Sequence, residues 1–535
     1  MEKRLFLAVV VSFFILYGWA SFVQKPNQQK NQKETQAVDN KKVIDDFTSE
    51  VTPSLPPQEV SKEETATIEN KKLRITFSSV GGSIKEILIK EYNETLPIAA
   101  LGNLVEYSKV VFSVKAIDEN VIEYFYSNGD VSVTKKYSLE ADDFILKVEN
   151  KIKDPEHLSK NESTNFIGVS LEMSKMDILQ KKNSATHDKA LLEYVIAEKE
   201  TIVRKNNAFS FSEKNKTQKK SPVQWIGFRN RYFCSIIKPL FSTIEYDINP
   251  IDEKTLNINF KATDILVDKN GIKSFSFIIF AGPEKLELLK KYGFEFEKIR
   301  RYYRWQILDG IAKIIYDIMH FIFRFVHNWG LCVIIMSTII YFSMYPLTMK
   351  SLLSMKKMQA LQPKMAVIKE KFANNPQRMN QEIMELYKKN KVNPLGGCLP
   401  MLLQMPVFIG LYQVLWRSVD FSGASFLWIK DLSQPDRLYT FSSSLPVIGN
   451  EINILPILMI FVMFLQQKLT AKNMTFTDPA QATQQKMMTF ILPVFLGMIF
   501  YHFASGLTLY FLMFYIFSTI TQWTVSQKPE VVSYD

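Results

Sequence analysis

The chain has 535 residues, room for two or three domains; 47% are hydrophobic and the formal net charge is +11. The apolar residues are unevenly spread: residues 24–295 read as polar and β-rich, whereas 328–523 is dominated by apolar runs, which excludes a wholly water-soluble protein. Of Cys234, Cys332 and Cys398, a single one falls in the polar part, so no disulfide forms within it and the redox compartment stays open. GxxxxGK[ST], HExxH and Cys/His metal spacings are absent, so no catalytic residue, metal or cofactor is expected.

In chain order, Met1-Glu2-Lys3-Arg4 precedes an apolar run from Leu5 to Val23. A cleavable signal peptide has the same layout, with Gly18-Trp19-Ala20 as a cleavage site. The run is long for that role, and Tyr17 and Trp19 suit an interfacial belt, so residues 1–23 are read as a retained transmembrane anchor. Residues 24–64, rich in Gln, Asn, Lys, Glu and Pro, are too polar to offset their ordering entropy and read as a flexible tether.

Residues 65–295 form the next domain. Period-2 segments at Leu73–Phe77, Ile84–Lys90, Val121–Tyr126, Val131–Tyr137, Phe144–Val148, Leu256–Phe260 and Phe275–Phe280 predict many short strands, hence a β-sandwich. Asn128-Gly129 marks a hairpin. His157 and His187 have no evident carboxylate constellation and read as surface residues. Gly282-Pro283-Glu284 is expected to open a closing helix.

Residues 298–327 predict an amphipathic helix in the membrane interface, with Asp309, Lys313, Asp317, His320 and Arg324 as a narrow charged stripe. A transmembrane helix with a buried salt-bridge stripe is the alternative. The region 328–525 then predicts five spans, about 329–349, 399–417, 450–467, 487–504 and 507–523. The run from Leu399 to Trp416 contains Pro400, Pro406, Gln404 and Gln413, so this helix should face protein or a wet cavity. Between the first two spans, residues 350–397 carry ten Lys/Arg against three Asp/Glu and read as a basic helical hairpin. Asn375-Pro376 marks the start of its second helix. Lys356, Lys357, Met358, Met365, Lys369, Met379 and Met384 are its expected contact residues. Eighteen of the 21 methionines follow residue 318, as bundle packing or as an adaptable surface for apolar clients. Charge bias places both termini, the hairpin and the short tail 526–535 in the cytoplasm and the β domain outside.

Asn393-Pro394-Leu395-Gly396-Gly397-Cys398-Leu399-Pro400, followed by Gln404-Met405-Pro406, resembles the signature of the YidC family of membrane protein insertases. Asn328-Trp329-Gly330, Met344-Tyr345-Pro346-Leu347-Thr348 and Ser505-Gly506-Leu507 with Leu509-Tyr510 fit the same family in order. The resemblance implies a multi-domain membrane protein of the cell inner membrane: an anchor helix, a periplasmic all-β sandwich of supersandwich type and an all-α five-helix bundle. Ser79-Val80-Gly81-Gly82, Val223-Gln224-Trp225-Ile226-Gly227 and Tyr232-Phe233 look like the sandwich's landmarks. It also implies a groove, wet and open to cytoplasm and lipid, that eases client segments across hydrocarbon without ATP. Ser337, Tyr341, Gln404, Gln413, Thr508 and Tyr510 are the groove candidates, each with a plain helix–helix hydrogen bond as its alternative. The implied partners are nascent inner-membrane proteins, lipids, the SecYEG translocon with SecDF as a further candidate, and the ribosome, the active form being a monomer.

Two departures stand out. Family members usually carry a basic residue thirteen positions after the Asn of the NWG motif, and here that position is Tyr341, with Arg417 as a nearby substitute. Lys528 is the only basic residue of the tail, so a basic ribosome-binding extension is absent. A transporter or channel of the same topology, and an anchored glycan-binding protein, are the alternative functions. His502 with Ser505 lacks the turn of a hydrolase nucleophile.

Overall fold

The computed structural model describes residues 63–96, 100–104, 107–153, 166–172, 193–206, 217–250, 255–263, 266–390, 392–393, 399–445, 449–471 and 479–527. The expected anchor, all but the end of the tether, His157, His187, Pro394–Cys398 and the tail from residue 528 lie outside the described residues. Two compact units result: one holds Asp188–Phe228, Cys234–Gly282 and most of the chain before them, the other Arg229–Phe233 and Pro283–Asp535.

The first unit is two sheets of mainly antiparallel strands. One runs Thr65–Glu69, Leu73–Ser78, Ser83–Ile89, Ala100–Leu104, Phe166–Glu172, Thr255–Thr263, Ser242–Pro250, Thr217–Lys219, with Glu94–Thr95 beside Ser83–Ile89. The other runs Ile202–Asn206, Glu193–Glu198, Val223–Arg229, Phe233–Pro239, Ile272–Pro283, Ile145–Lys153, Val131–Leu139, Val121–Asn128, Ser113–Asp118, with Leu266–Val267 beside Ile272–Pro283. Every expected strand is present. The hairpin closes on the pair Asn128↔Val131, so the turn is Gly129-Asp130, and Gly129 takes a φ of +61° that a side chain would resist. The sheets meet through aromatic rings: Phe77 of one lies 4.7 Å from Tyr137 and 6.2 Å from Tyr124 of the other. Glu198 links them a second time, accepting from Lys219 Nζ at 2.6 Å and from the Tyr246 hydroxyl at 2.9 Å. Glu193–Glu198 was not readable as a strand because all six of its side chains are buried, which erases the alternation that reveals a half-exposed strand.

The second unit is helical: α1 (Leu286–Tyr292), α2 (Gln306–Val326), α3 (Trp329–Ala360), α4 (Gln362–Lys371), α5 (Pro376–Lys389), α6 (Leu399–Arg417), α7 (Ile454–Ala471), α8 (Pro479–Phe500) and α9 (Ser505–Gln527). Helices thus stand at all five expected span positions, as α3, α6, α7, α8 and α9. Trp329–Ala360 is long and apolar enough to cross a membrane; Ile454–Thr470 and Thr489–Phe500 are shorter apolar stretches.

Four boundaries correct the sequence reading. Pro283 ends a strand instead of opening a helix; α1 begins at Leu286, and Glu284 is spent on an ion pair with Arg229 at 2.8 Å. The first helix of the basic hairpin is not separate, because α3 continues through Pro346 to Ala360. The break comes at Leu361, where Pro363 has no N–H to extend the ladder. The third span extends forward, not back into 450–453: Asp436 accepts from the backbone N–H of Ile454 and Leu455 at 2.8 and 3.0 Å and fixes the start of α7. At 18 residues, α7 is about 27 Å long, slightly less than the roughly 30 Å of a bilayer's hydrocarbon core. The last turn is Tyr501–Ala504, since Ser505 already belongs to α9.

Small residues set how closely these helices approach. A Cβ on Gly410 of α6 would sit 3.0 Å from Ile311 and 3.3 Å from Ile315 of α2. In the Asn328-Trp329-Gly330 motif, the Asn328 side chain accepts from Leu331 N at 3.0 Å and caps α3, while a Cβ on Gly330 would fall 2.1 Å from the Phe426 ring. Gly330→Ala is therefore expected to cost the helical unit about 1–3 kcal/mol. Thermal unfolding in detergent measures this, and Phe426→Ala in the same chain should recover part of the loss, because the two side chains then no longer collide.

Candidate functional site

The site candidates converge on α9, which contacts α3, α6 and α7. Its start is pinned by backbone: Ser505 N donates to Gln434 O at 2.7 Å and Gly506 N to Leu432 O at 2.9 Å. A Cβ on Gly506 would come within 3.1 Å of that Leu432 carbonyl, so the Ser-Gly-Leu motif is a packing requirement.

Down the helix, polar side chains reach three neighbours in turn. The Gln404 amide of α6 donates to the Tyr510 hydroxyl. The Gln466 amide of α7 donates to Ser518 Oγ at 2.7 Å. The Tyr341 hydroxyl of α3 donates to Thr521 Oγ1 at 2.6 Å. Lys356 of α3 donates to Val525 O at 3.3 Å, a cation at the negative end of α9. Tyr510 and Thr521 are eleven residues apart, so they share a face within about 20° and stand about 16 Å apart along the axis. Tyr510, Tyr341 and Gln404 are 0%, 2% and 7% exposed, so these bonds lie inside protein.

The remaining candidates separate from this file. Ser337 donates to Val333 O at 2.6 Å and Thr508 to Ala504 O at 3.4 Å, each within its own helix. Gln413, nine positions after Gln404, projects from the opposite side of α6. Gln404 Oε1 and Gln413 Oε1 are both buried and receive no hydrogen bond from the protein. Arg417 stands at the end of α6 and donates to Arg301 O at 2.6 Å. Gln466 and Ser518 were missed: Gln466 lies at the edge of the expected 450–467 span, and a lone serine among apolar residues carries no periodic signal.

At the other end of the unit, the expected charged stripe of α2 is divided among partners. Asp309 is buried and accepts from the N–H groups of Tyr302 and Tyr303 at 2.7 and 3.1 Å, with Lys313 2.8 Å away. His320 Nε2 lies 3.2 Å from Asp420 and Arg324 3.2 Å from Glu287. Ile307, Ile314, Phe321 and Phe325 are left exposed as an apolar stripe. Of the hairpin residues, Met358 and Met365 pack with Leu361, Tyr387 and Val392, whereas Lys357 and Met384 face outward. Lys369 and Met379 are half-buried.

A family model described as 60Kd inner membrane protein matches residues 321–531, and one described as YidC periplasmic domain matches residues 102–317. The membrane protein insertase YidC of Pelobacter propionicus is 31% identical, over 96% of this chain and 97% of that protein. The chain belongs to the YidC family. Its relative of the same name from Geotalea uraniireducens is 30% identical over 99% of both chains. A solved structure described as an active YidC insertase with the first transmembrane domain resolved covers 88% of this chain at 18% identity and a TM-score of 0.39.

Interhelical bonds of this kind are worth about 0.6 kcal/mol each in a membrane bundle, with an upper value of about 1.7. A double-mutant cycle of Tyr341→Phe and Thr521→Val should return a coupling in that range in detergent unfolding. The same cycle of Ser337→Ala and Thr508→Ala should return none, because those hydroxyls bond within their own helices.

Proposed function

We propose that this chain is a membrane protein insertase and folding chaperone of the cell inner membrane. It takes transmembrane segments of nascent inner-membrane proteins from the cytoplasm into the bilayer, alone or with the Sec translocon. The observation that carries this reading is the file of amide and hydroxyl pairs along α9, inside a helical unit whose outward residues include Leu402, Phe461, Phe490, Ile491 and Ile520. It gains weight because full-length relatives bear the name insertase.

The physical use of such a file follows from its weakness. A charged residue crossing the bilayer centre costs about 2.5–3.5 kcal/mol on insertion scales. Neutral pairs worth a fraction of that can be exchanged for hydrogen bonds to a passing client backbone or polar side chain. Gln404, with an acceptor oxygen unused, and Tyr510, Tyr341 and Thr521 are the residues proposed to trade partners; Ser337, Gln413 and Thr508 are proposed to meet the client as α3, α6 and α9 separate. With Tyr341 where relatives usually carry a cation, the mechanism here relies on exchanging neutral hydrogen bonds rather than on attracting acidic clients. The apolar part of the client then partitions into lipid, which drives the step without a covalent intermediate.

In the same reading the β unit is periplasmic, α2 lies in the outer interface on its exposed apolar stripe, and the α4–α5 hairpin and both termini are cytoplasmic. SecYEG, SecDF and the ribosome are proposed partners, and the active form is a monomer. The transporter or channel alternative has no observation in its favour.

Reconstitution tests this directly. Liposomes carrying the purified chain should integrate a newly translated single-span client severalfold better than empty liposomes, scored by protease protection. Photocrosslinkers at positions 341, 404 and 510 should capture that client. Gln404→Leu with Tyr510→Phe is expected to reduce integration at least twofold; equal integration by empty liposomes would refute the proposal.

A further inference from the structure

The sandwich contains a lysine with no access to water. Lys135 is 0% exposed, and its strand turns Val133, Tyr137 and Leu139 to the same interior. Its Nζ donates to Gly81 O at 2.5 Å and lies 5.1 Å from the Phe112 ring. The Tyr137 hydroxyl donates to the next carbonyl, Gly82 O, at 2.5 Å. These two side chains therefore grip the Ser79-Val80-Gly81-Gly82 turn, whose glycines hold φ of +70° and +50°. A Cβ on Gly82 would stand 3.3 Å from Phe112 and Tyr124 and 3.4 Å from Lys135 itself.

The far side of this turn receives the start of the unit. Ser79 N donates to Glu64 O at 2.8 Å, and Glu64 N donates back to Ser79 Oγ at 2.9 Å. Glu63 accepts from Ser78 Oγ and Lys85 Nζ, both at 2.8 Å. Gly81 N and Phe112 N tie the turn to the 107–112 segment through Val110 O and Ser79 O, at 2.7 and 2.8 Å. One turn thus joins the buried lysine to the point where the chain preceding Glu63 enters the domain.

Among the described residues, the groups facing Lys135 are neutral. Its cross-strand partners are Tyr124 and Asn150, both buried, and Phe77 and Phe112 close the interior. Glu123, Lys136, Glu149 and Lys151 alternate to the outer faces of these strands, and Lys109 is exposed. We propose that Lys135 is a proton-operated latch: as a neutral amine it holds the Ser79–Gly82 turn and the docking of Glu63-Glu64, and on gaining a proton it lets them go.

Desolvation pushes this amine down to about 7, whereas in an opened domain it returns to the ordinary lysine range near 10.4. Between those values the opened state binds the extra proton, so the latch tightens as pH rises through the window and changes no further below about 7. Hydrogen exchange of the full chain in nanodiscs reads this out. After correction for intrinsic rates, opening of peptides spanning 63–82 and 131–139 should fall by up to about tenfold per pH unit from pH 7 to 9. Lys135→Met should abolish that slope. A flat wild-type profile, or a slope retained by Lys135→Met, overturns the proposal. If Lys135→Met fails to fold, amine acetylation of the wild-type chain decides the matter. Modification of Lys135 requires the opened, neutral amine, so its rate should be level from pH 7 to 9 while that of exposed Lys136 climbs about tenfold per unit. A parallel climb at Lys135 overturns the latch.

Discussion

A hydroxyl or amide carried deep into an apolar bundle has to find a partner, since leaving it unpaired costs about 1–3 kcal/mol. In this chain α9 meets that constraint for three neighbours: Tyr510 for α6, Ser518 for α7 and Thr521 for α3. Its first residues are tied to the 431–434 loop, and its last turn receives Lys356. The helix is thus fixed at both ends and bonded to its neighbours between them by weak neutral contacts. Such an arrangement holds a bundle together by contacts each worth about 0.6 kcal/mol.

Ionised side chains are handled differently. The Arg229–Glu284 pair is buried, and Arg300, 3.7 Å from the same carboxylate, lies over the Tyr302 and Tyr316 rings. Arg229 also donates to the Ile299 and Arg301 carbonyls at 3.1 Å. Breaking one member of a buried ion pair leaves a stranded charge and costs about 3–5 kcal/mol. The end of the helical unit where α2 begins is therefore rigid, and the α9 file is the compliant part.

Periodicity in the sequence determined a great deal. Alternation located the strands whose second face meets solvent, and apolar runs located five helices, because both signals are local. Two of the glycines in motifs read as family marks proved to be packing requirements: Gly330 makes room for Phe426 and Gly506 for the Leu432 carbonyl. Strands buried on both faces, such as Glu193–Glu198, left no alternating trace. Helix ends were misplaced wherever a distant side chain supplied the cap, as Asp436 does for α7.

Partners were decided by tertiary structure alone. The sequence named Tyr341, Gln404, Thr508 and Tyr510 as polar groups at depth, but helical phase cannot tell which of them bonds across a seam and which bonds back to its own turn. Packing made Gln404–Tyr510 and Tyr341–Thr521 interhelical, turned Gln413 to the other side of α6, and brought in Gln466 and Ser518, which no pattern had marked. It also committed Arg417 to Arg301 and Lys356 to Val525. The inventory of polar groups is a local property written residue by residue, whereas the pairing depends on helix rotation and approach, which the small residues at the contacts set only once the helices meet.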